Sequence, residues 1–216
     1  MKKYFILILL TSIMFKAEAQ SSALTVADSL YVVGNYTKAI QQYQEVVNPD
    51  AKTTLQIARS YKGLGNKKAA LEAYKNSLIQ DSEQVVAATE YGRLLITRRK
   101  FAIADSIFEV LTNKYSENPE YFYQRGRALK QLEKKKDTAR ENKAILKSEE
   151  AFSKAVQLDS THIKALYQLG LHYLTHRDYP IVEKICLKAF ESDPDNAEMV
   201  NIHAQNYYLR GYYFEA

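Results

Sequence analysis

The chain has 216 residues, a size that accommodates one compact domain or a short repeat array. Hydrophobic residues make up 46% of it and charged residues 25%, which excludes a wholly disordered protein. Its single cysteine excludes a disulfide framework within the chain. The net charge of +5 becomes +3 when residues 1–19 are left out, so the basic character gives little support to nucleic-acid binding.

Residues 1–19 have the pattern of a secretory signal peptide. Two lysines precede an almost entirely apolar run over residues 4–15, and the small residues of an Ala-x-Ala cleavage site follow at 17–19. The apolar run is too short to span about 30 Å of hydrocarbon comfortably, which favours cleavage over a membrane anchor. We therefore expect a mature protein that begins at Gln20 and is exported. The signal resembles those of exported proteins of Gram-negative bacteria of the Bacteroidetes type, which implies the periplasm or cell envelope.

The rest of the chain repeats at an interval of 34 residues. Small residues recur at Ala58, Gly92 and Gly126, where they are expected to let paired helices approach closely. The aromatic residues Tyr74 and Phe108 have the same spacing, and with Phe152 they are expected to fill the space between repeats. Apolar and small residues within each half-repeat fall at i, i+3, i+4 and i+7, which is the period of an α-helix. Because a pair of such helices cannot bury its apolar face alone, neighbouring repeats have to stack.

This pattern resembles the tetratricopeptide repeat. The 34-residue period, the turn at Gly34–Tyr36 and the Asp193–Asp195 segment that closes a repeat carry the resemblance, which covers nearly all of residues 20–216. The resemblance implies an all-α fold: a right-handed superhelical solenoid of antiparallel helix pairs, about five and a half repeats long, with a concave groove for peptides or proteins. The predicted repeat frames are 20–50, 51–84, 85–118, 119–162, 163–196 and 197–216.

The fourth frame contains an insertion near residues 130–147. The segment has no Gly or Pro, and residues 138–141 have a capping-box pattern, so we expect two elongated helices with a turn near 135–137. The second helix is expected from about residue 139 to 158. Residues 130–147 have a net charge of +4. They form either a solvated helical tip or a docking surface for an acidic partner or an anionic membrane.

The last frame, 197–216, contains one predicted helix and the start of a second. Its end is rich in aromatic residues, whereas a terminal capping helix normally has a polar outer face. We therefore expect the chain to be a fragment of a longer protein. The alternative is that this apolar end forms an interface.

No motif for catalysis, for a cofactor or for a metal stands out. The sequence has no Gly-rich phosphate loop, no nucleophile elbow and no convincing acid–base pair. His172 and His176 lie one helical turn apart, but we interpret them as surface residues rather than metal ligands. Cys186 is predicted to be a buried, inert thiol because nothing nearby would lower its pKa. The protein is therefore predicted to be non-enzymatic, with no metal and no cofactor.

Three arginines carry the strongest local signal for partner binding. Each follows one of the equivalent small residues, at a spacing of 34, and the resemblance implies that this position faces the groove. The two lysines three residues later lie on the same helix face, and two tyrosines could add aromatic contacts. The arginines either bind carboxylates of a partner or pair internally, with Glu90 and Glu120 available. The predicted groove residues are Arg59, Lys62, Arg93, Tyr123, Arg127, Lys130 and Tyr167.

These features favour an exported helical-repeat scaffold that binds a protein or peptide, with acidic character in the partner and no nucleic acid. Two alternatives remain open. The repeats could be the periplasmic sensing region of a signalling receptor, with a kinase or DNA-binding output beyond Ala216. They could instead be an accessory domain of a cell-envelope enzyme. The oligomeric state is left open by the sequence.

Overall fold

The computed structural model describes residues 23–136 and 147–211. Within those ranges every regular element is a helix, as predicted for an all-α fold. The helices are α1 (23–32), α2 (Tyr36–Glu45), α3 (Ala51–Gly63), α4 (Lys67–Gln80), α5 (Val85–Thr97), α6 (Phe101–Lys114), α7 (Pro119–Lys136), α8 (Lys147–Leu158), α9 (Ile163–Thr175), α10 (Tyr179–Phe190) and α11 (Ala197–Leu209).

From the second frame onward, the first helix of each repeat begins at the first residue of its predicted frame. These helices start at Ala51, Val85, Pro119, Ile163 and Ala197. Local chemistry explains several of the starts, because an N-cap side chain satisfies a backbone N–H that the helix leaves without a partner. The residues that cap a helix in this way are Asn35, Asp50, Asn66, His162 and Asn196.

The chain divides into two compact units. Unit 1 ends at Leu94. Its core is built from small residues on the paired helices and from two tyrosines, Tyr43 and Tyr74, whose side chains are completely buried. Ala58, predicted as a close-approach position, is also completely buried in this core. The helices of unit 1 therefore pack through small residues, with aromatic rings filling the space between repeats.

Unit 2 begins at Leu95. Gly126 on α7 lies directly against the ring of Phe152 on α8, so closely that a β-carbon on Gly126 would be 2.6 Å from Phe152 Cε1. The side chain of Phe152 is 2% exposed, which confirms its predicted role in the core. Cys186 is buried as predicted, and burial raises the pKa of its thiol to about 12. At neutral pH this cysteine is therefore a protonated core residue.

The insertion differs from its prediction where it can be compared. Helix α7 continues through Lys136, so the first two residues of the predicted turn at 135–137 are helical. The remainder of that turn and the predicted start of the second helix near residue 139 lie outside the described residues. So do the signal sequence and the aromatic segment 212–216. Among the helices of the described ranges, none is long and apolar enough to cross a bilayer.

Candidate functional site

In unit 1 the first arginine of the predicted groove is held by a carboxylate. Arg59 Nη2 donates to Glu90 Oε1 at 2.7 Å, and Arg59 Nε donates to the same oxygen at 3.1 Å. The Tyr74 hydroxyl donates to Glu90 Oε2 at 2.6 Å. The Arg59 and Glu90 side chains are only 29% and 20% exposed. Arg59 therefore forms the internal ion pair, one of the two alternatives that the sequence left open.

The protonation states in this cluster follow from the contacts. Burial raises the pKa of Glu90, but hydrogen bonds from Arg59 and Tyr74 outweigh burial and hold the pKa below its usual range. The hydrogen bond to Glu90 raises the pKa of Arg59. Burial, followed by the hydrogen bond to Glu90, raises the pKa of Tyr74. At neutral pH the three groups are a cation, an anion and a neutral hydroxyl that satisfy one another.

An open depression of about 380 Å³ adjoins this ion pair. The exposed Lys62 and the rings of Tyr31 and Tyr36 line it together with Arg59 and Glu90, and the two ring centroids are 5.6 Å apart. The structure thus brings two of the predicted groove residues, Arg59 and Lys62, to one surface of unit 1. Arg93 lies exposed on α5.

In unit 2 the arginine at the equivalent helix position has different surroundings. The guanidinium of Arg127 lies over the ring of Tyr123, 5.8 Å from its centroid, and Nη1 donates to Gln124 Oε1 at 2.8 Å. Among the residues that the structure describes, no carboxylate forms an ion pair with Arg127. An arginine has five N–H donors, so most of its hydrogen-bonding capacity is available.

A chain of hydrogen bonds fixes the orientation of the Gln124 amide. Gln124 Nε2 donates to Glu120 Oε1 at 2.6 Å, and Glu120 Oε2 lies 3.4 Å from His162 Nε2. Because an ionised carboxylate only accepts hydrogen bonds, Gln124 has to present its NH₂ to Glu120 and its oxygen to Arg127. The Gln124 side chain is almost completely buried. The position of Arg127 is therefore set from within the fold.

The remaining predicted residues of unit 2 lie on α7 and α9. Tyr123, Arg127 and Lys130 follow one another at helical spacing on α7, and Lys130 Nζ donates to Gln168 Oε1 on α9 at 2.9 Å. Tyr167, next to Gln168, is half-buried and packs against the core of this unit. We refer to Tyr123, Arg127, Lys130, Tyr167 and Gln168 as the α7–α9 surface.

The α7–α9 surface has the features of a contact site. It combines two cations, two tyrosine rings and one side-chain amide. No group of three or more potential metal ligands occurs within residues 23–136 and 147–211. Such a surface can bind an anionic or polar segment through charge-assisted hydrogen bonds and ring contacts.

A second polar cluster in unit 2 was not recognised in the sequence. His172 Nε2 lies 3.2 Å from Glu149 Oε2, and the Tyr173 hydroxyl donates to the same carboxylate. His172 is partly buried, with its side chain 16% exposed, and His176 is exposed as predicted. The centroids of the two imidazole rings are 4.3 Å apart, and the ring planes are tilted by 37°.

A sequence signal for this cluster does exist. Three carboxylates occupy equivalent places in three successive second helices. Asp105 and Glu183 are the fifth residues of α6 and α10, and Glu149 is their counterpart in α8 once the insertion is allowed for. Each carboxylate binds a side chain of the following helix. Asp105 accepts from Arg125 at 3.1 Å, and Glu183 accepts from Arg210 at 2.7 Å. These carboxylates tie each helix pair of unit 2 to the next helix.

Comparison with known proteins gives structural relatives alone, since no family model and no curated protein matches the chain. MamA from Desulfovibrio magneticus has a TM-score of 0.70 at 18% identity, over 83% of this chain and 97% of that one. Pseudomonas aeruginosa PilF has a TM-score of 0.68 at 16% identity, over 91% and 86% of the two chains.

A tetratricopeptide repeat protein from Parabacteroides merdae has a TM-score of 0.73 at 16% identity, over 90% of this chain and 74% of that one. Identities this low establish the fold and carry no information about partners. All three relatives are helical-repeat proteins of the same type. The predicted architecture is thereby confirmed: the chain has the tetratricopeptide-repeat fold.

Proposed function

We propose that this protein is an exported, non-enzymatic scaffold that binds a segment of a partner protein at the α7–α9 surface. The observation that carries the proposal is the contrast between two arginines at the same helix position. Arg59 forms an internal ion pair with Glu90. Arg127 forms no ion pair with a carboxylate of the described residues, and it lies over the ring of Tyr123. A positioned cation without an internal anion is suited to contact with a partner.

The rigidity of the surface supports the same function. Arg127 donates to Gln124, which is itself fixed by its hydrogen bond to Glu120, and Tyr123 beneath Arg127 is 8% exposed. A side chain that is already ordered loses little conformational entropy when a partner binds, so more of the contact energy remains as affinity. The α7–α9 surface therefore favours recognition of an extended or helical segment without rearrangement of the scaffold.

Export rests on the signal pattern of residues 1–19. An apolar run followed by small residues suits processing better than membrane spanning. Mass spectrometry of the protein from the periplasm of an expressing Gram-negative cell should find Gln20 at the amino terminus. Intact Met1 in a membrane-bound product would contradict export by cleavage.

Site-specific photocrosslinking tests the binding function. A photoreactive phenylalanine derivative replaces Tyr167 in the full chain, which is expressed in a Gram-negative host and irradiated in the cell. A matched variant carries the same group at Val110, an exposed residue of α6 in unit 2. We expect a discrete adduct from position 167 that disappears when Arg127→Gln is added.

The outcomes are separable. An adduct at position 167 that depends on Arg127, with none at position 110, supports binding at the α7–α9 surface. Equal adducts at the two positions indicate nonspecific contact and contradict the proposal. The same holds for an adduct at position 167 that persists in the Arg127→Gln protein.

A further inference from the structure

Units 1 and 2 share a pattern of charged residues at equivalent helix positions. Arg59 is the ninth residue of α3, and Arg127 is the ninth residue of α7. Lys62 and Lys130 are the twelfth residues of the same two helices. The first helix of the fourth repeat thus presents the same two cations as the first helix of the second repeat.

The repeats differ in what the following first helix offers to these cations. The sixth residue of α5 is Glu90, whose carboxylate binds Arg59 in unit 1. The sixth residue of α9 is Gln168, a neutral amide whose oxygen accepts from Lys130 in unit 2. The cations of the second repeat therefore face an anion, Glu90, whereas those of the fourth repeat have at the equivalent position a neutral amide of nearly the same shape, Gln168.

We infer that the α7–α9 surface binds a carboxylate side chain of an acidic peptide segment, in the role that Glu90 has in unit 1, and that Gln168 is the residue that keeps the site open. This inference rests on the proposed function and names the chemistry of its ligand. Arg127 uses Nη1 for Gln124, which leaves Nε and Nη2, the two nitrogens through which Arg59 holds Glu90.

The identity of the anion follows from the geometry of the internal pair. The Nε and Nη2 hydrogens of an arginine form a planar fork that matches the two oxygens of a carboxylate. Unit 1 shows that a carboxylate fits such a fork at this helix position. Arg59 Nη2 donates to Glu90 Oε1 at 2.7 Å, and Nε donates to Oε1 at 3.1 Å and to Oε2 at 3.3 Å. In the α7–α9 surface the ring of Tyr123 lies under the guanidinium of Arg127 and stabilises the cation in this position.

The decisive variant gives unit 2 the internal anion of unit 1. Gln168→Glu places a carboxylate at the sixth position of α9, where it should pair with Arg127 and Lys130 and exclude the ligand. Gln157→Glu on α8 is the matched control, because Gln157 is exposed and the change in net charge is identical. The probes are a fluorescein-labelled hexaglutamate peptide and the corresponding hexaglutamine peptide, titrated against the full chain by fluorescence anisotropy.

We expect the unmodified protein to bind hexaglutamate and to bind hexaglutamine at least tenfold more weakly. Gln168→Glu should weaken hexaglutamate binding at least tenfold without lowering the melting temperature, whereas Gln157→Glu should change affinity less than threefold. Equal losses in the two variants would indicate a net-charge effect and overturn the inference.

The result also separates this inference from the proposed function. Equal binding of the two peptides, or binding of neither, overturns carboxylate recognition. In either case an Arg127-dependent crosslink at position 167 would still show a partner-binding surface. Loss of that crosslink as well would remove the proposed function.

Discussion

Arg59 and Glu90 are joined by three hydrogen bonds to the two carboxylate oxygens, across 31 residues and two repeats of unit 1. The pair is mostly shielded from water, and Tyr74 completes it. Of the two roles that the sequence left open for Arg59, a partner contact and an internal ion pair, the structure shows the internal pair. Arg127 has the same position in α7 as Arg59 has in α3, but it forms no ion pair with a carboxylate of the described residues. This difference separates the structural role of Arg59 from the partner contact proposed for Arg127.

The first prediction concerns the stability of the ion pair. Arg59→Gln leaves the Glu90 carboxylate partly buried without its main donor, so the free energy of unfolding should fall by about 1–3 kcal/mol. Urea denaturation followed by circular dichroism measures the change. Lys62→Gln is the matched control, because Lys62 lines the same depression but is exposed; its effect should stay within about 0.5 kcal/mol. Equal effects would contradict a structural role for Arg59.

The same pair should confer a pH dependence on stability. Because the pKa of Glu90 is lower in the folded protein than in the unfolded chain, the unfolded chain takes up the proton first as the pH falls. The contribution of Glu90 is therefore fully present above the unfolded value of about 4.3 and is lost as the pH falls through the folded value. The stability difference between the unmodified protein and Glu90→Gln should shrink across that acid range. A constant difference would contradict this linkage.

The second prediction tests close helix packing in unit 2. In Gly126→Ala the new β-carbon would be 2.6–2.7 Å from two ring atoms of the buried Phe152, so close that the ring or the helix would have to shift. Overpacking of this kind should lower stability by about 1–3 kcal/mol, in spite of the better helix propensity of alanine. Thermal unfolding measures the loss.

Gly170→Ala serves as the comparison. Its β-carbon would be 3.2 Å from Ile202 Cδ1, the end of a flexible side chain that can shift by a few tenths of an ångström. The gain in helix propensity should then offset much of the strain. A Gly170→Ala variant that is destabilised as strongly as Gly126→Ala would contradict the packing account.

The third prediction concerns His172. Burial lowers the pKa of His172 by more than the neighbouring Glu149 raises it. In the folded protein His172 is therefore neutral at a pH at which the same side chain is protonated in the unfolded chain. The contribution of His172 to the free energy of unfolding is fully present above its pKa in the unfolded chain, about 6.5, and is lost as the pH falls below that value. The slope of unfolding free energy against pH below 6.5 should therefore decrease in His172→Gln. An unchanged slope would assign the dependence to another group; His176→Gln is the control for the exposed neighbour.

The fold could be predicted from the sequence because its signals are local and repeated. Each first helix from Ala51 onward starts where the 34-residue frame begins, and Tyr74 and Phe152 are buried as the pattern indicates. The turn at 135–137 was misplaced because the lysines before it are good helix formers and no Gly or Pro ends α7 there. Helix ends without a breaker depend on tertiary contacts that the pattern does not contain.

The candidate site was predictable only in part. Glu90 was identified as an available partner because it lies on the neighbouring predicted helix, 31 residues from Arg59. Gln168 was missed because the insertion in the fourth repeat displaces it from the 34-residue register, and because a neutral amide gives no electrostatic signal. The pairing of His172 with Glu149 depends on which face of α9 meets α8, which spacing along one helix does not specify.

The most direct test of the central claim compares Arg127→Gln with the unmodified protein in two measurements on the same samples. The first is the affinity for the partner captured at position 167, and the second is the melting temperature. If Arg127 is a partner contact, its loss should weaken binding by about tenfold or more, the equivalent of a charge-assisted hydrogen bond worth about 1.5–3 kcal/mol, while the melting temperature stays nearly unchanged. A variant that unfolds at a markedly lower temperature yet binds the partner with unchanged affinity would contradict the account, because Arg127 would then be structural as Arg59 is.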